Sequence, residues 1–163
     1  MATIGNLIFV LTLLAALGSG LMAGTFFVFS VAVMRALGQR PANEGMAAMQ
    51  AINIVILNPI FLGVFLGTTI VSTLAALFGV LWKFPGSGYL LAGAVFYVLG
   101  SFGITMVVNV PLNTALLAAD PDGDTGQKLW KNYLTNWTRW NHVRALTSLA
   151  ALLFFILAAT GER

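Results

Sequence analysis

Four long stretches of the chain contain no charged side chain, and this pattern sets the predicted architecture. They cover residues 1–34, 45–82, 84–119 and 145–161. A helix needs about 20 apolar residues to cross a hydrocarbon core of roughly 30 Å. The first three stretches are long enough alone, and the fourth reaches this length when it includes residues 141–144. The pattern therefore predicts a chain that crosses a membrane several times.

The second stretch is too long for one crossing. A continuous helix over residues 45–82 would extend about 57 Å, at roughly 1.5 Å per residue. The pair Asn58-Pro59 divides it, because a proline disfavours helix at the residue before it. We therefore predict a short interfacial helix over residues 44–57. The predicted membrane helices are residues 4–33, 60–81 and 89–108 and, after a start near Thr125, residues 141–160.

These elements predict an all-α, polytopic membrane protein, a bundle of four transmembrane helices. The short interfacial helix lies between the first and second of them, and residues 1–163 form one domain. Asn109 begins a polar segment, residues 109–113, in which Pro111 is expected to end the third membrane helix. Two glycine pairs, at residues 20/24 and 63/67, have the spacing that lets membrane helices approach closely.

Composition excludes a soluble globular domain. The chain is 59% hydrophobic and 8% charged, whereas soluble domains carry about 25% charged residues. The net charge of +3 comes from Lys and Arg residues that lie mostly beside predicted membrane ends. There they suit lipid headgroups, so we expect the lipid bilayer, and no nucleic acid, as a partner. Because cysteine is absent, disulfides and thiolate metal ligands are excluded.

The basic residues also predict an orientation. Arg35, Arg40, Lys128 and Lys131 lie in or beside the loops after the first and third membrane helices. Loops rich in Lys and Arg stay in the cytoplasm. We therefore predict a plasma-membrane protein with these two loops in the cytoplasm and both termini outside.

Polar residues concentrate at one face of the predicted bundle. Because short loops make successive helices antiparallel, the ends of helices 1 and 3 meet the starts of helices 2 and 4. Ionisable residues within membrane segments usually face a bundle interior or a wet cavity, so this cluster predicts a functional site. The alternative is that its asparagines cap and join helix ends. The residues of the cluster are Arg35, Gln50, Asn53, Asn58, Asn109, Asn113, Asn141, His142 and Arg144.

An aromatic stripe leads into this cluster. Trp130, Tyr133, Trp137, Trp140 and Arg144 recur at spacings of three or four, which places them on one side of a helix. A cation–π contact between Arg144 and Trp140, one turn apart, is expected. The stripe is either an interfacial aromatic belt or the wall of a flat aromatic pocket.

Five short motifs together resemble one known family. They are GTFFVFS at residues 24–30, AMQAIN at 48–53, NPIF at 58–61, NVPLN at 109–113 and WTRWNHVR at 137–144. The sequence resembles the anthrone-oxygenase-like family of small integral membrane proteins over roughly residues 17–157. This resemblance implies oxidation of an anthrone to an anthraquinone by molecular oxygen. It implies no flavin or nicotinamide, and no Gly-rich dinucleotide fingerprint follows a strand here.

The resemblance gives the polar cluster expected roles. His142 would be the general base that forms an electron-rich anion. Arg144 or Arg35, with Asn141, Asn53 or Asn109, would stabilise the developing oxyanion. Such an anion reacts with oxygen directly, so no cofactor is predicted. The expected substrate-binding residues are Arg35, Asn53, Asn58, Asn109, Asn113, Trp137 and Trp140, with a cluster of Phe26, Phe27 and Phe29.

Two other functions fit the same residues. The first is a non-enzymatic module that binds or transports a quinone-like or lipid-like molecule, and transport would favour a homo-oligomer. The second is a haem or metal protein, in which His142 is the only strong ligand. A purely structural, hydrogen-bonded His142 is a third interpretation. The soft partners for a haem would be Met34, Met46, Met49 and Met106.

Overall fold

The structure, a computed structural model, describes residues 2–161, and all regular secondary structure within that range is helical. In chain order they are α1 (Ala2–Val28, a π-helical turn at Phe29–Val33, and Met34–Gly38), α2 (Ala42–Val55), α3 (Pro59–Leu81), α4 (Ser87–Val95, π-helical stretches at Phe96–Gly103 and Thr105–Asn109, and Val110–Leu117) and α5 (Asp124–Thr160).

The predicted fold class is confirmed. Helices α1, α3, α4 and α5 are long and apolar enough to cross a membrane, as expected for an integral membrane protein. The short helix α2 lies between the first two of them in the chain. In a bilayer a helix satisfies its backbone hydrogen bonds internally, which is why apolar sequences of this length form helices. The orientation of the bundle across the membrane stays a prediction.

The four long helices form a ring in which each packs against two others. Helix α1 packs along α5 and α3, and α4 packs between α3 and α5. Contacts between α3 and α4 run along residues 87–103, whereas residues 105–117 hardly approach α3. The two helices therefore diverge, and a gap opens between α3 and the last part of α4.

Two hydrophobic clusters stabilise the bundle. The first fills the centre of the four-helix ring, where Phe65, Tyr97 and Phe155 are buried. The second lies at the end where α2 packs, and it contains Met46 and Met49 from α2. Because α2 buries these side chains against α5, the end of α4 and the end of α1, it is fixed beside the gap. The other buried members of the second cluster are Met34, Leu116, Trp130, Tyr133 and Trp137.

The expectation that Pro111 ends the third membrane helix is wrong, since α4 continues to Leu117. A proline inside a regular α-helix removes a hydrogen bond and clashes with the preceding turn. Here the π-helical stretch Thr105–Asn109 comes directly before it, and Pro111 falls in the first turn of Val110–Leu117. A proline is tolerated in a first turn. Helix α1 likewise passes its predicted end at residue 33 through a π-helical turn.

The glycine pairs chosen by spacing do not mark the closest helix contacts. A Cβ added at Gly24, Gly63 or Gly67 would meet no atom within 4 Å. Close approaches occur instead at Gly18, where an added Cβ would overlap the Thr68 side chain of α3, and at Gly100, where it would lie 2.5 Å from the Cβ of Thr147. Glycine at residue 100 allows α4 and α5 to come together, as small residues do between membrane helices.

Candidate functional site

A cavity of about 330 Å³ occupies the gap between α3 and the last part of α4. Helices α1, α2 and α5 complete its walls, and most of its lining is apolar or aromatic. Small-molecule pockets typically measure about 300–1,000 Å³ and combine an apolar lining with few polar groups. The cavity therefore has the size and chemistry of a small-molecule site. Its polar lining residues are Thr25, Asn53, Thr105, Asn113 and Arg144.

The cavity opens on the side of the bundle. Leu66 on α3 and Met106 and Val110 on α4 line it, and they are 43%, 47% and 39% exposed. These side chains stand on the outer faces of two helices that are apolar enough to cross a membrane. The opening thus faces the region that lipid tails occupy around such helices.

Arg144 is the charged residue of the cavity lining, and it is only 4% exposed. Its guanidinium carbon lies 4.3 Å from the ring centroid of Phe26 and 5.0 Å from that of Trp137, in cation–π contacts. Nη1 donates to Oγ1 of Thr105 at 3.1 Å, and Nη2 donates to Oδ1 of Asn141 at 2.7 Å. The aromatic rings and these two acceptors hold the guanidinium in a fixed position.

No carboxylate of the described residues forms an ion pair with this arginine. Within residues 2–161 the one ion pair joins Arg40 to Glu44 at 2.6 Å, on the surface. The Nε atom of Arg144 is buried and has no hydrogen-bond partner among these residues. A buried charge is costly unless it is paired, and such residues within membrane helices mark ligand sites. The arrangement therefore favours an anionic group in the cavity.

Asn141 positions this arginine. Its side chain is fully buried, and Nδ2 donates to the carbonyl of Phe26 and to Oγ of Ser30, both at 2.7 Å. These two residues flank the start of the π-helical turn Phe29–Val33. Side chains that insert into a helix ladder accompany such turns, which are frequent at functional sites. Asn141 thus ties α5 to α1 and presents Oδ1 to Arg144.

A second polar group lies along the same wall. Nε1 of Trp137 and the hydroxyl of Tyr133 both donate to Oδ1 of Asn113, each at 2.8 Å. Nδ2 of Asn53 donates to the Tyr133 oxygen at 3.4 Å. The rings of Tyr133 and Trp137 stack with centroids 6.0 Å apart. This network joins α2, α4 and α5 at the cavity.

A family model described as anthrone oxygenase matches residues 58–154. The chain belongs to the anthrone oxygenase family. The match covers α3, α4 and most of α5, so it includes Asn113, Trp137 and Arg144. The resemblance found in the motifs is confirmed, and membership of the anthrone oxygenase family supports an oxygenase-like role. No curated protein and no solved structure matches the chain.

Several of the site residues predicted from the sequence do meet at the cavity. Arg144, Asn53, Asn113 and Trp137 line it. Asn109 lies close by and is buried, and its Nδ2 donates to the Trp137 carbonyl at 3.4 Å, but it is not part of the lining. The expectation that the polar helix ends converge is therefore correct for these residues.

His142 does not lie at the cavity, contrary to the expectation. Its side chain is exposed on α5 and is not among the lining residues. Two residues correspond to about 200° of rotation in an α-helix, so His142 and the buried Arg144 point to different sides. The geometry gives no support to the expected role of His142 as general base.

Trp140, Arg35 and Asn58 also lie outside the cavity lining. Trp140 is partly exposed, because the buried stripe continues from Trp137 to Asn141, and the cation–π partner of Arg144 is Trp137. Arg35 is exposed and lines a separate shallow groove. Asn58 caps α3, where its Oδ1 accepts hydrogen bonds from the backbone nitrogens of Ile60 and Phe61.

Sequence reasoning did not select Thr105 and Tyr133 as site residues. Tyr133 shares the aromatic stripe with Trp137, so its spacing was a usable signal. Thr105 gave none, since the π-helical stretch around it shifts which residues face inward. No group of three or more His, Cys, Asp or Glu that could hold a metal ion occurs among residues 2–161. Whether the protein carries a cofactor stays a prediction.

Proposed function

We propose that this protein is a membrane-embedded oxygenase that oxidises a hydroxylated polycyclic aromatic of the anthrone type with molecular oxygen. One observation carries the proposal: the buried Arg144, which pairs with no carboxylate among residues 2–161, lines an apolar cavity of about 330 Å³. Membership of the anthrone oxygenase family supports the class of reaction.

The cavity suits a flat, weakly acidic aromatic. Such a molecule partitions into the bilayer and meets the lateral opening at Leu66 and Met106. Inside, the rings of Phe26, Phe65 and Trp137 offer stacking and edge contacts. Its ionised form carries an oxygen anion, which would pair with the buried guanidinium of Arg144.

The chemistry follows from stabilising that anion. An anthrone loses a proton from the CH₂ carbon opposite its carbonyl, and the charge moves largely onto the carbonyl oxygen. Nη1 and Nη2 of Arg144 each have a second N–H beyond those given to Thr105 and Asn141, and these N–H groups would bind the oxyanion. Fixed donors at a developing oxyanion are a large source of rate enhancement.

The carbanion then reduces oxygen. An electron passes from the aromatic anion to O₂, and a C–O bond forms at the deprotonated carbon. Loss of water from the resulting hydroperoxide gives the second carbonyl. One anthrone and one O₂ thus give one anthraquinone and one water. The proposal assigns no base to the protein, because Arg144 favours the anion and the proton passes to water at the interface.

Oxygen uptake by detergent-purified protein with 1,8-dihydroxyanthrone, corrected for autoxidation, tests the proposal. We expect uptake well above background in wild type, with one atom from ¹⁸O₂ in the new carbonyl, and background uptake in Arg144→Met. His142→Ala is the matched control, since this side chain is exposed on the same helix, and it should retain activity. Uptake at the autoxidation rate in wild type would contradict the proposal and leave a ligand-binding membrane module.

A further inference from the structure

The directions of the hydrogen bonds fix the orientation of two amides at the cavity. The indole Nε1–H of Trp137 can only donate, so the Asn113 atom 2.8 Å away is its oxygen, Oδ1. The Tyr133 hydroxyl lies 2.8 Å from this same oxygen. An amide oxygen can only accept, and the hydroxyl therefore gives its single proton to Asn113.

The same reasoning reaches Asn53. Because the Tyr133 hydroxyl donates its single proton to Asn113, its oxygen can only accept a hydrogen bond from Asn53. The Asn53 atom 3.4 Å away is therefore Nδ2. The oxygen and nitrogen of an amide are otherwise assigned from their surroundings. Here the donor-only indole of Trp137 leaves one choice for each.

This network leaves one donor and one acceptor without a partner. Nδ2 of Asn113 and Oδ1 of Asn53 make no hydrogen bond within residues 2–161. Both residues line the cavity. The polar side-chain atoms that are both inaccessible and without a partner do not include these two, so both atoms are accessible to a water-sized molecule. Both amides are hydrogen-bonded to the Tyr133 hydroxyl, and their free atoms supply a neutral donor and a neutral acceptor, called the amide pair below.

We propose that this pair recognises a neutral hydroxyl group on an outer ring of the substrate. A phenolic hydroxyl can accept from Nδ2 of Asn113 and donate to Oδ1 of Asn53 at the same time. This inference rests on the proposed function and adds the position of a second oxygen. Arg144 binds the ionised oxygen, and the amide pair binds a hydroxyl further along the molecule.

Arg144 and Asn113 contact different parts of the same indole, that of Trp137. The Trp137 indole donates from its edge to Asn113, and the guanidinium of Arg144 lies 5.0 Å from the centroid of the same indole. A ligand that packs beside this indole therefore meets the cation near the ring face and the neutral amides near the Nε1 edge. The site selects a polycyclic aromatic with one acidic oxygen and one neutral ring hydroxyl, and rejects an unsubstituted ring system.

Ligand pairs that differ by one methyl group test this selection. We would measure the Kd of 2-hydroxyanthraquinone and 2-methoxyanthraquinone by quenching of tryptophan fluorescence, at a pH where the hydroxyl is neutral in solution. Wild type should prefer the hydroxyl by about tenfold, because the ether leaves Oδ1 of Asn53 without a donor. Asn53→Leu removes this acceptor and leaves the bonds among Trp137, Tyr133 and Asn113 in place, so the preference should disappear. Asn58→Ser, outside the cavity, should keep it.

Each variant is its own control, because the preference is a ratio of two affinities in one protein. A preference that is lost in Asn53→Leu supports hydroxyl recognition, even if the oxygen-uptake experiment fails. A preference that survives in Asn53→Leu, or is absent from wild type, overturns it, even if oxygen uptake depends on Arg144. The two experiments therefore separate failure of this inference from failure of the proposed function.

Discussion

Nη2 of Arg144 lies 2.7 Å from Oδ1 of Asn141, one helical turn earlier on α5. The amide nitrogen of the same asparagine is bonded to the backbone of α1 at Phe26. The arginine is therefore positioned relative to two helices by one side chain. A charge held in place before the ligand arrives needs no reorganisation when an oxyanion forms, which is how fixed donors accelerate reactions.

Asn141→Ala should lower both stability and activity. The substitution removes two interhelical hydrogen bonds and the acceptor for Arg144. Interhelical hydrogen bonds in membranes average about 0.6 kcal/mol, so we expect a loss of about 1–2 kcal/mol in the free energy of unfolding. Unfolding in SDS, followed by circular dichroism, measures it, and oxygen uptake should fall at least tenfold. Asn136→Ala, an exposed asparagine on the same helix, is the control, and equal losses in both variants would contradict the assigned role.

Leu66→Trp should obstruct the lateral opening. Leu66 lines the cavity and is exposed on its outer side, whereas Ile70, one turn further along α3, is exposed but outside the lining. We expect a KM for the anthrone at least tenfold higher in Leu66→Trp and an unchanged KM in Ile70→Trp, measured in lipid nanodiscs. An unchanged KM in both variants would show that substrate reaches the cavity by another route.

Gly100→Ala should destabilise the bundle, although the change is small. The added Cβ would lie 2.5 Å from the Cβ of Thr147, so α4 and α5 must separate. Overpacking of this kind costs typically about 1–3 kcal/mol. Gly63→Ala is the matched control, because no atom lies within 4 Å of its added Cβ, and replacing glycine in a helix is favourable by about 0.5–1 kcal/mol. The same unfolding assay gives both values, and a neutral Gly100→Ala would contradict the close packing.

Cysteine labelling tests the predicted orientation across the membrane. Because the chain has no cysteine, single substitutions give a clean signal. Gln39→Cys lies in the loop predicted to be cytoplasmic, and Gly88→Cys lies at the opposite end of the bundle. A membrane-impermeant maleimide should label Gly88→Cys in intact cells and Gln39→Cys only after lysis. The reverse pattern would place the loops outside.

The sequence predicted the helices well because a bilayer permits few alternatives. Long uncharged stretches must form helices to satisfy their backbone groups, and Asn58-Pro59 marked the start of α3 correctly. The end of α4 was not predictable in the same way. Whether a helix continues through Pro111 depends on the π-helical stretch before it, and no local sequence signal marks that stretch.

The sequence predicted at which end of the bundle the site lies, but not which side chains of α5 face it. Antiparallel connection placed Asn53, Asn113 and Arg144 at one end of the bundle, and they do line one cavity. The sequence did not decide that Arg144 faces inward and His142 outward. Both are polar residues at the same depth, and only the packing of α5 against α1, through Asn141, selects the buried face.

The absorption spectrum of an anthrone bound without oxygen tests the central claim most directly. We would bind 1,8-dihydroxyanthrone anaerobically to wild type and to Arg144→Met, across a range of pH, with protein-free micelles as reference. Because Arg144 pairs with no carboxylate in the part of the chain that the structure describes, we predict the anion spectrum in wild type at pH values where the ligand in micelles is neutral, and the neutral spectrum in Arg144→Met. A neutral spectrum in wild type over that same range would contradict the account, since Arg144 would then not stabilise the anion on which the chemistry depends.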